Sequence, residues 1–110
     1  MPRRNTDLVQ GTLDMLILKA LTRETRHGYG LMRWIRQVSD DELRIKEGAL
    51  YPALHWLEAR GWVGGEWGLS EENRQAKFYT LTADGRRQLR EDTAVWSRYV
   101  SAVAKVLAAA

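Results

Sequence analysis

The chain has 110 residues, enough for one domain with a modest core. It contains no cysteine, which excludes disulfides and thiolate metal sites and fits a reducing cytoplasm. The net charge of +3 is a mild basic excess, carried mainly by arginine, whose planar fork suits phosphate and guanine edges. Nothing resembles a leader peptide, and no apolar run approaches the ~20 residues that span a bilayer. A soluble cytoplasmic protein without a membrane partner is expected.

Met1 to Asp7 is polar, with Arg3 and Arg4 adjacent, and reads as a loose arm. The first helix is expected to open at Gln10-Gly11-Thr12, with Thr12 as N-cap and Asp14 in the first turn. Leu13, Met15, Leu16, Ile17, Leu18, Ala20 and Leu21 make it apolar nearly all round, so it needs cover on two sides. In so small a chain, one of those covers is expected to be a second subunit.

His27-Gly28-Tyr29-Gly30 leads into a second helix ending near Val38, with Leu31, Ile35 and Val38 on its inner face. His27, beside a glycine turn, reads as an end-of-helix residue. Ser39-Asp40-Asp41-Glu42 stops the helix, and Leu43-Arg44-Ile45 alternates as a minor strand would.

A third helix is predicted from near Gly48 to Arg60, closed by Gly61. Leu50, Ala53, Leu54 and Leu57 fall on one face. Lys46, Gly48, Tyr51, Pro52 and His55 crowd the start of the other, as a helix entering a major groove by its N-terminal end requires. Pro52 is tolerable only within or just after the first turn, and an earlier helix start predicts a kink there.

Two strand-like segments follow, Trp62 to Trp67 and Ala76 to Leu81, joined by a long polar loop. Arg74 and Lys77 put positive charge at or near its tip, where cations meet phosphate, while Glu71 and Glu72 put negative charge close by. Trp56, Trp62 and Trp67 read as core or core rim. Thr82 caps a final helix running towards Ala109. Along it Leu89, Thr93, Trp96, Val100, Val103 and Leu107 form a seam flanked by Val95, Tyr99, Ala102 and Val106. Nothing else in the chain can cover so broad a stripe, and a two-fold dimer is the simplest partner.

Three helices, a hairpin and a dimerising helix, in that order, define a mainly α fold with a small β-hairpin: a winged helix-turn-helix plus a long C-terminal dimerisation helix. The winged-helix part is placed at residues 1–82, with the wing at about 62–82, and the dimerisation helix at 83–110 of the same compact unit. The expected interface draws on Leu13, Leu16, Ile17, Leu89, Trp96, Tyr99, Val100, Val103 and Leu107. His27 and His55 are separated by a helix and a loop and have no nucleophile or ligand partner at useful spacing. No enzyme, cofactor or metal is expected.

The segments Leu8–Asp14, His27–Gly30, Gly48–Leu54 and Arg74–Thr82, in this order and at these separations, resemble the PadR-like transcriptional regulators. The resemblance covers nearly the whole chain and fits the short subgroup without a second C-terminal domain. It implies a cytoplasmic homodimeric repressor of a nearby operon, bound to a pseudo-palindromic operator in double-stranded DNA and often relieved by a small-molecule inducer. It further implies DNA contacts from Gln10 and Thr12, from Lys46, Gly48, Tyr51, Pro52 and His55, and from the wing residues Arg74 and Lys77. Gln75 stands where relatives often carry a second base, which with Glu71 and Glu72 weakens the wing's hold on phosphate. In some relatives aromatic side chains between subunits stack on flat ligands, and Trp96 is the candidate here, although filling the seam is its plainer role. Two other readings stay open: a winged-helix module that grips another protein, and a sensor whose main task is binding flat aromatic ligands at the seam.

Overall fold

The computed structural model describes residues 5–110, and side chains from residue 11 onward. The elements are helix α1 (Asn5–Ala20), strand β1 (Arg26–His27), helices α2 (Gly28–Val38) and α3 (Glu47–Ala59), strands β2 (Val63–Leu69) and β3 (Gln75–Leu81), and helix α4 (Ala83–Ala108). The antiparallel sheet has the order β1-β3-β2, so β3 is central and the hairpin β2–β3 forms the wing. The mainly helical winged fold expected from the sequence is the fold observed.

Each boundary has a local cause. The His27 imidazole caps α2, its Nδ1 accepting from Gly30 N–H at 3.0 Å. Helix α2 stops where Asp40 and Asp41 take positive φ (54° and 70°), a conformation acidic side chains tolerate better than most. Gly61, at φ 79°, closes α3 as a glycine C′ residue should. Thr82 caps α4 by accepting from Gly85 N–H at 3.0 Å, and its hydroxyl donates to the Gly61 carbonyl at 2.7 Å. One side chain thus ties the end of the wing to the end of α3.

Leu50, Ala53, Leu54 and Leu57 of α3 are buried with Leu31 and Ile35 of α2, Val63 of β2, and Tyr79 and Leu81 of β3. Helix α1 lies at the centre of this core rather than at its edge. Leu13, Ile17, Leu18, Ala20 and Leu21 are all buried, and α1 packs on α2, α3 and α4 alike. The expected two-sided cover of α1 is therefore supplied largely from within the chain.

Three local expectations are corrected. Helix α1 begins at Asn5, so Thr12 and Asp14 sit in mid-helix instead of capping it, and residues 5–7 of the expected arm are helical. Leu43-Arg44-Ile45 forms no strand, because the sheet's third place is filled by Arg26 and His27, paired with Tyr79 and Phe78. A two-residue strand is too short to leave a periodic trace. Trp67 is exposed and not core, Trp56 is exposed with its ring edge-on to Trp62 at 5.4 Å, and of these three Trp62 alone packs on the buried cluster. The wing tip is also tighter than expected: Ser70 N–H bonds the Arg74 carbonyl at 2.8 Å, and Asn73 turns through φ 60°. Arg3 and Arg4 lie outside the described residues.

Candidate nucleic-acid interface

Helix α3 starts at Glu47, one residue before the expected start, which puts Pro52 beyond the first turn. Lacking an N–H, Pro52 leaves the Gly48 carbonyl without its helical donor. The helix nevertheless runs unbroken to Ala59. Its inner face is sealed in the core. Its outer face is bare: Lys46, Gly48, Tyr51, Pro52 and His55 are all exposed. The N-cap Lys46 makes no side-chain capping bond, although its carbonyl accepts from Ala49 N–H at 3.0 Å.

Tyr51 is exposed yet held. A Cβ added at Gly28 would collide with the Tyr51 phenol, lying 2.9 Å from its Cε1. The ring therefore rests on the backbone at the start of α2, and Gly28 is the residue that leaves room for it. The two glycine-bearing segments singled out in the sequence meet at this contact. His55 stands one turn further along the same face.

The wing differs from expectation in its charges. Arg74 is exposed at the tip, but Lys77 is not a tip residue: it pairs across the hairpin with Trp67 and reaches back to α3. There its Nζ donates to Glu58 Oε1 at 2.9 Å and lies 5.7 Å from the Tyr79 ring centre. The hydrogen bond to Glu58 holds the Lys77 ammonium above its usual 10.5. Burial pushes the Tyr79 phenol above its usual 10.0. At the tip Glu71 and Glu72 are exposed, and along β2 Glu66, Trp67 and Leu69 are exposed as well. Sequence reading missed Glu58, because a carboxylate near the end of a helix carries no signal of a partner on a distant strand.

Among the other bases, Arg60 lies over Trp56 and Trp62, at 4.7 and 5.6 Å from the ring centres. Arg86 donates to the Thr22 carbonyl at 3.1 Å, and Arg87 pairs with Asp84 at 2.7 Å. The Gln10 side chain lies outside the described residues. Thr12 lies on a half-covered face of α1, at the edge of an apolar cavity of about 270 Å³. That cavity is bounded by Gly11, Thr12 and Met15 of α1 and by Asp92, Val95, Trp96 and Tyr99 of α4. The Trp96 and Tyr99 rings stand 6.0 Å apart at 34°.

Beyond Leu89, no residue of α4 is buried. Trp96, Tyr99, Val100, Val103 and Leu107 are exposed along the helix, and Leu16 on α1 is half-buried. Leu13, Ile17 and Leu89, expected at a partner's surface, are closed off inside this chain's own core. The seam thus divides: its first turns serve the monomer and its later turns lie open. Among the described residues no helix is long and apolar enough to cross a membrane, and no group of acidic, histidine or cysteine side chains could hold a metal.

A helix with one face sealed in the core and the other bare, followed by a two-stranded wing, is the architecture of winged-helix transcriptional regulators. The family model described as the transcriptional regulator PadR-like family matches residues 17–91, more than half of the chain. The chain belongs to the PadR-like family; it is a transcriptional regulator and not an enzyme. It is similar to a PadR-family regulator of Eggerthella lenta DSM 2243, at 34% identity and TM-score 0.77, covering 96% of this chain and 89% of that one. A transcriptional regulator from Clostridium thermocellum superposes with TM-score 0.81 at 28% identity, covering 90% of this chain and 96% of that one. The transcriptional regulator YqjI of Escherichia coli K12 is 29% identical over 90 residues, which are 82% of this chain but 42% of that protein.

Proposed function

We propose that the protein is a homodimeric, sequence-specific DNA-binding repressor of a nearby operon, with α3 in the major groove and the wing along the neighbouring backbone. The observation that carries this reading is the outer face of α3, where Lys46, Gly48, Tyr51, Pro52 and His55 are exposed together while the opposite face is sealed in the core. A helix end with no capping side chain and a basic N-cap suits a phosphate, and the side chains just beyond it suit base edges. The open stripe Trp96, Tyr99, Val100, Val103 and Leu107 suits a second copy, whose α3 would reach a half-site one turn of the duplex away.

The test is fluorescence anisotropy with a duplex from upstream of the protein's own reading frame, against a random duplex of equal length. The reading predicts preference for the upstream duplex and affinity that falls steeply with salt. Truncating Arg74 should weaken binding to both duplexes alike, whereas changing Tyr51 or His55 should alter base preference. Equal affinity for both duplexes would defeat the sequence-specific reading.

The apolar cavity beside Trp96 supports an added role, binding of a flat aromatic inducer between α1 and α4. Planar aromatic compounds should quench tryptophan fluorescence, and the quenching should disappear in Trp96→Ala. Quenching that survives this substitution would place the ligand elsewhere.

A further inference from the structure

We propose that Glu58 acts as a restraint on DNA affinity by withholding Lys77 from phosphate. This rests on the DNA-binding reading above and concerns how strongly the wing takes part. Three elements build the restraint. Helix α3 supplies the carboxylate, β3 supplies the ammonium, and β2 supplies the space in which they meet. That space depends on Gly65: a Cβ there would collide with the Lys77 side chain and stand 3.1 Å from Glu58 Oε2. The aliphatic stem of Lys77 therefore lies across a glycine, and its Nζ ends 2.9 Å from Glu58 Oε1.

The side chains of Lys77 and Glu58 are 28% and 34% exposed, so solvent and salt screen this pair less than a fully exposed one. For Lys77 to reach a phosphate it must leave Glu58. The departure would set a bare carboxylate next to the polyanion as well as break the hydrogen bond. With Lys77 held, the wing offers Arg74 against the exposed acids Glu66, Glu71 and Glu72. Its charge then opposes a firm clamp, and α3 carries most of the phosphate contact.

Two measurements test this. The first is binding to the upstream duplex as a function of salt for the wild type, Glu58→Gln, and the charge-neutral double variant Glu58→Gln/Lys77→Gln. Freeing Lys77 in Glu58→Gln should steepen the slope of log K against log salt by about 0.9, the increment of one phosphate contact. Between 50 and 200 mM salt that is an additional loss of roughly 3.5-fold, with tighter binding at the low end. The double variant should return to the wild-type slope. An unchanged slope in Glu58→Gln, or a double variant flatter than wild type by about 0.9, would show that Lys77 already touches phosphate or never does, and either result overturns the restraint.

The second measurement needs no DNA and no folded variant. In the free wild-type protein Lys77 should acetylate much more slowly than the exposed Lys46, as read by mass spectrometry. Equal rates overturn the proposal. Slow acetylation of Lys77 with no duplex binding at all would sink the DNA-binding reading while leaving the ion pair in place.

Discussion

At the scale of single residues, Gly28 and Tyr51 show how a motif can serve packing and recognition together. Alanine at a helix start would ordinarily stabilise by up to ~1 kcal/mol over glycine. At Gly28 the new Cβ meets the end of an exposed side chain, which can swing away into solvent. Gly28→Ala is therefore expected to change stability by less than about 1 kcal/mol in urea titration while displacing Tyr51 and altering base preference. A large stability loss with unchanged preference would place Tyr51 in the core's service alone. Asp41 offers a test by pH. Hydrogen bonds from Arg36, and then from Arg44, hold its carboxyl below the usual 3.8. A depressed folded-state value contributes stability that is complete above the unfolded value and fades as pH falls through the folded one. Asp41→Asn keeps a residue that tolerates positive φ, so its urea midpoint should trail the wild type at neutral pH and converge with it well below pH 3.8. Some of this was legible without a structure: His27 reads as a helix-end residue and caps α2. Glu58 was not legible, because its partner lies on β3, beyond any periodicity.

At the scale of elements, the joint between wing and α4 rests on Thr82 and Gly85. Thr82→Ala removes both the cap on Gly85 N–H and the bond to the Gly61 carbonyl, and is expected to cost about 1–2 kcal/mol in chemical denaturation. Gly85→Ala is different from Gly28→Ala, because its Cβ would strike the main-chain carbonyl of Trp62, with the carbonyl carbon 3.0 Å away. Backbone cannot swing aside. The collision outweighs the helix gain, and a net loss of roughly 2 kcal/mol is expected. A stabilised Gly85→Ala protein would mean that α4 sits further from the wing. The order of helices and the hairpin was readable because Leu50, Ala53, Leu54 and Leu57 repeat at helical spacing and because Gly61 and Thr82 are strong stop and start signals. The start of α1 was misread because Thr12 is a good N-cap residue that the longer helix overrides. β1 escaped notice because its existence depends on Tyr79 and Phe78, far along the chain.

At the scale of the whole molecule, α4 decides what the rest can do. Its 26 residues extend about 39 Å, and the chain measures 57 Å along its longest axis. The sequence seam from Leu89 to Leu107 looks continuous, but in space only Leu89 belongs to the monomer's core, while Trp96 onward is bare. Sequence periodicity identifies an apolar stripe without saying which chain covers each turn of it. If a second copy covers the later turns, a charge placed there separates the two α3 helices without touching either. The most direct measurement is sedimentation of wild type and Val103→Glu, alone and with the upstream duplex. A wild-type dimer bound at two chains per duplex is expected, together with a folded Val103→Glu monomer that has lost specific binding. A wild-type monomer that binds the duplex as one chain, or a Val103→Glu monomer that binds as tightly as wild type, would contradict that expectation.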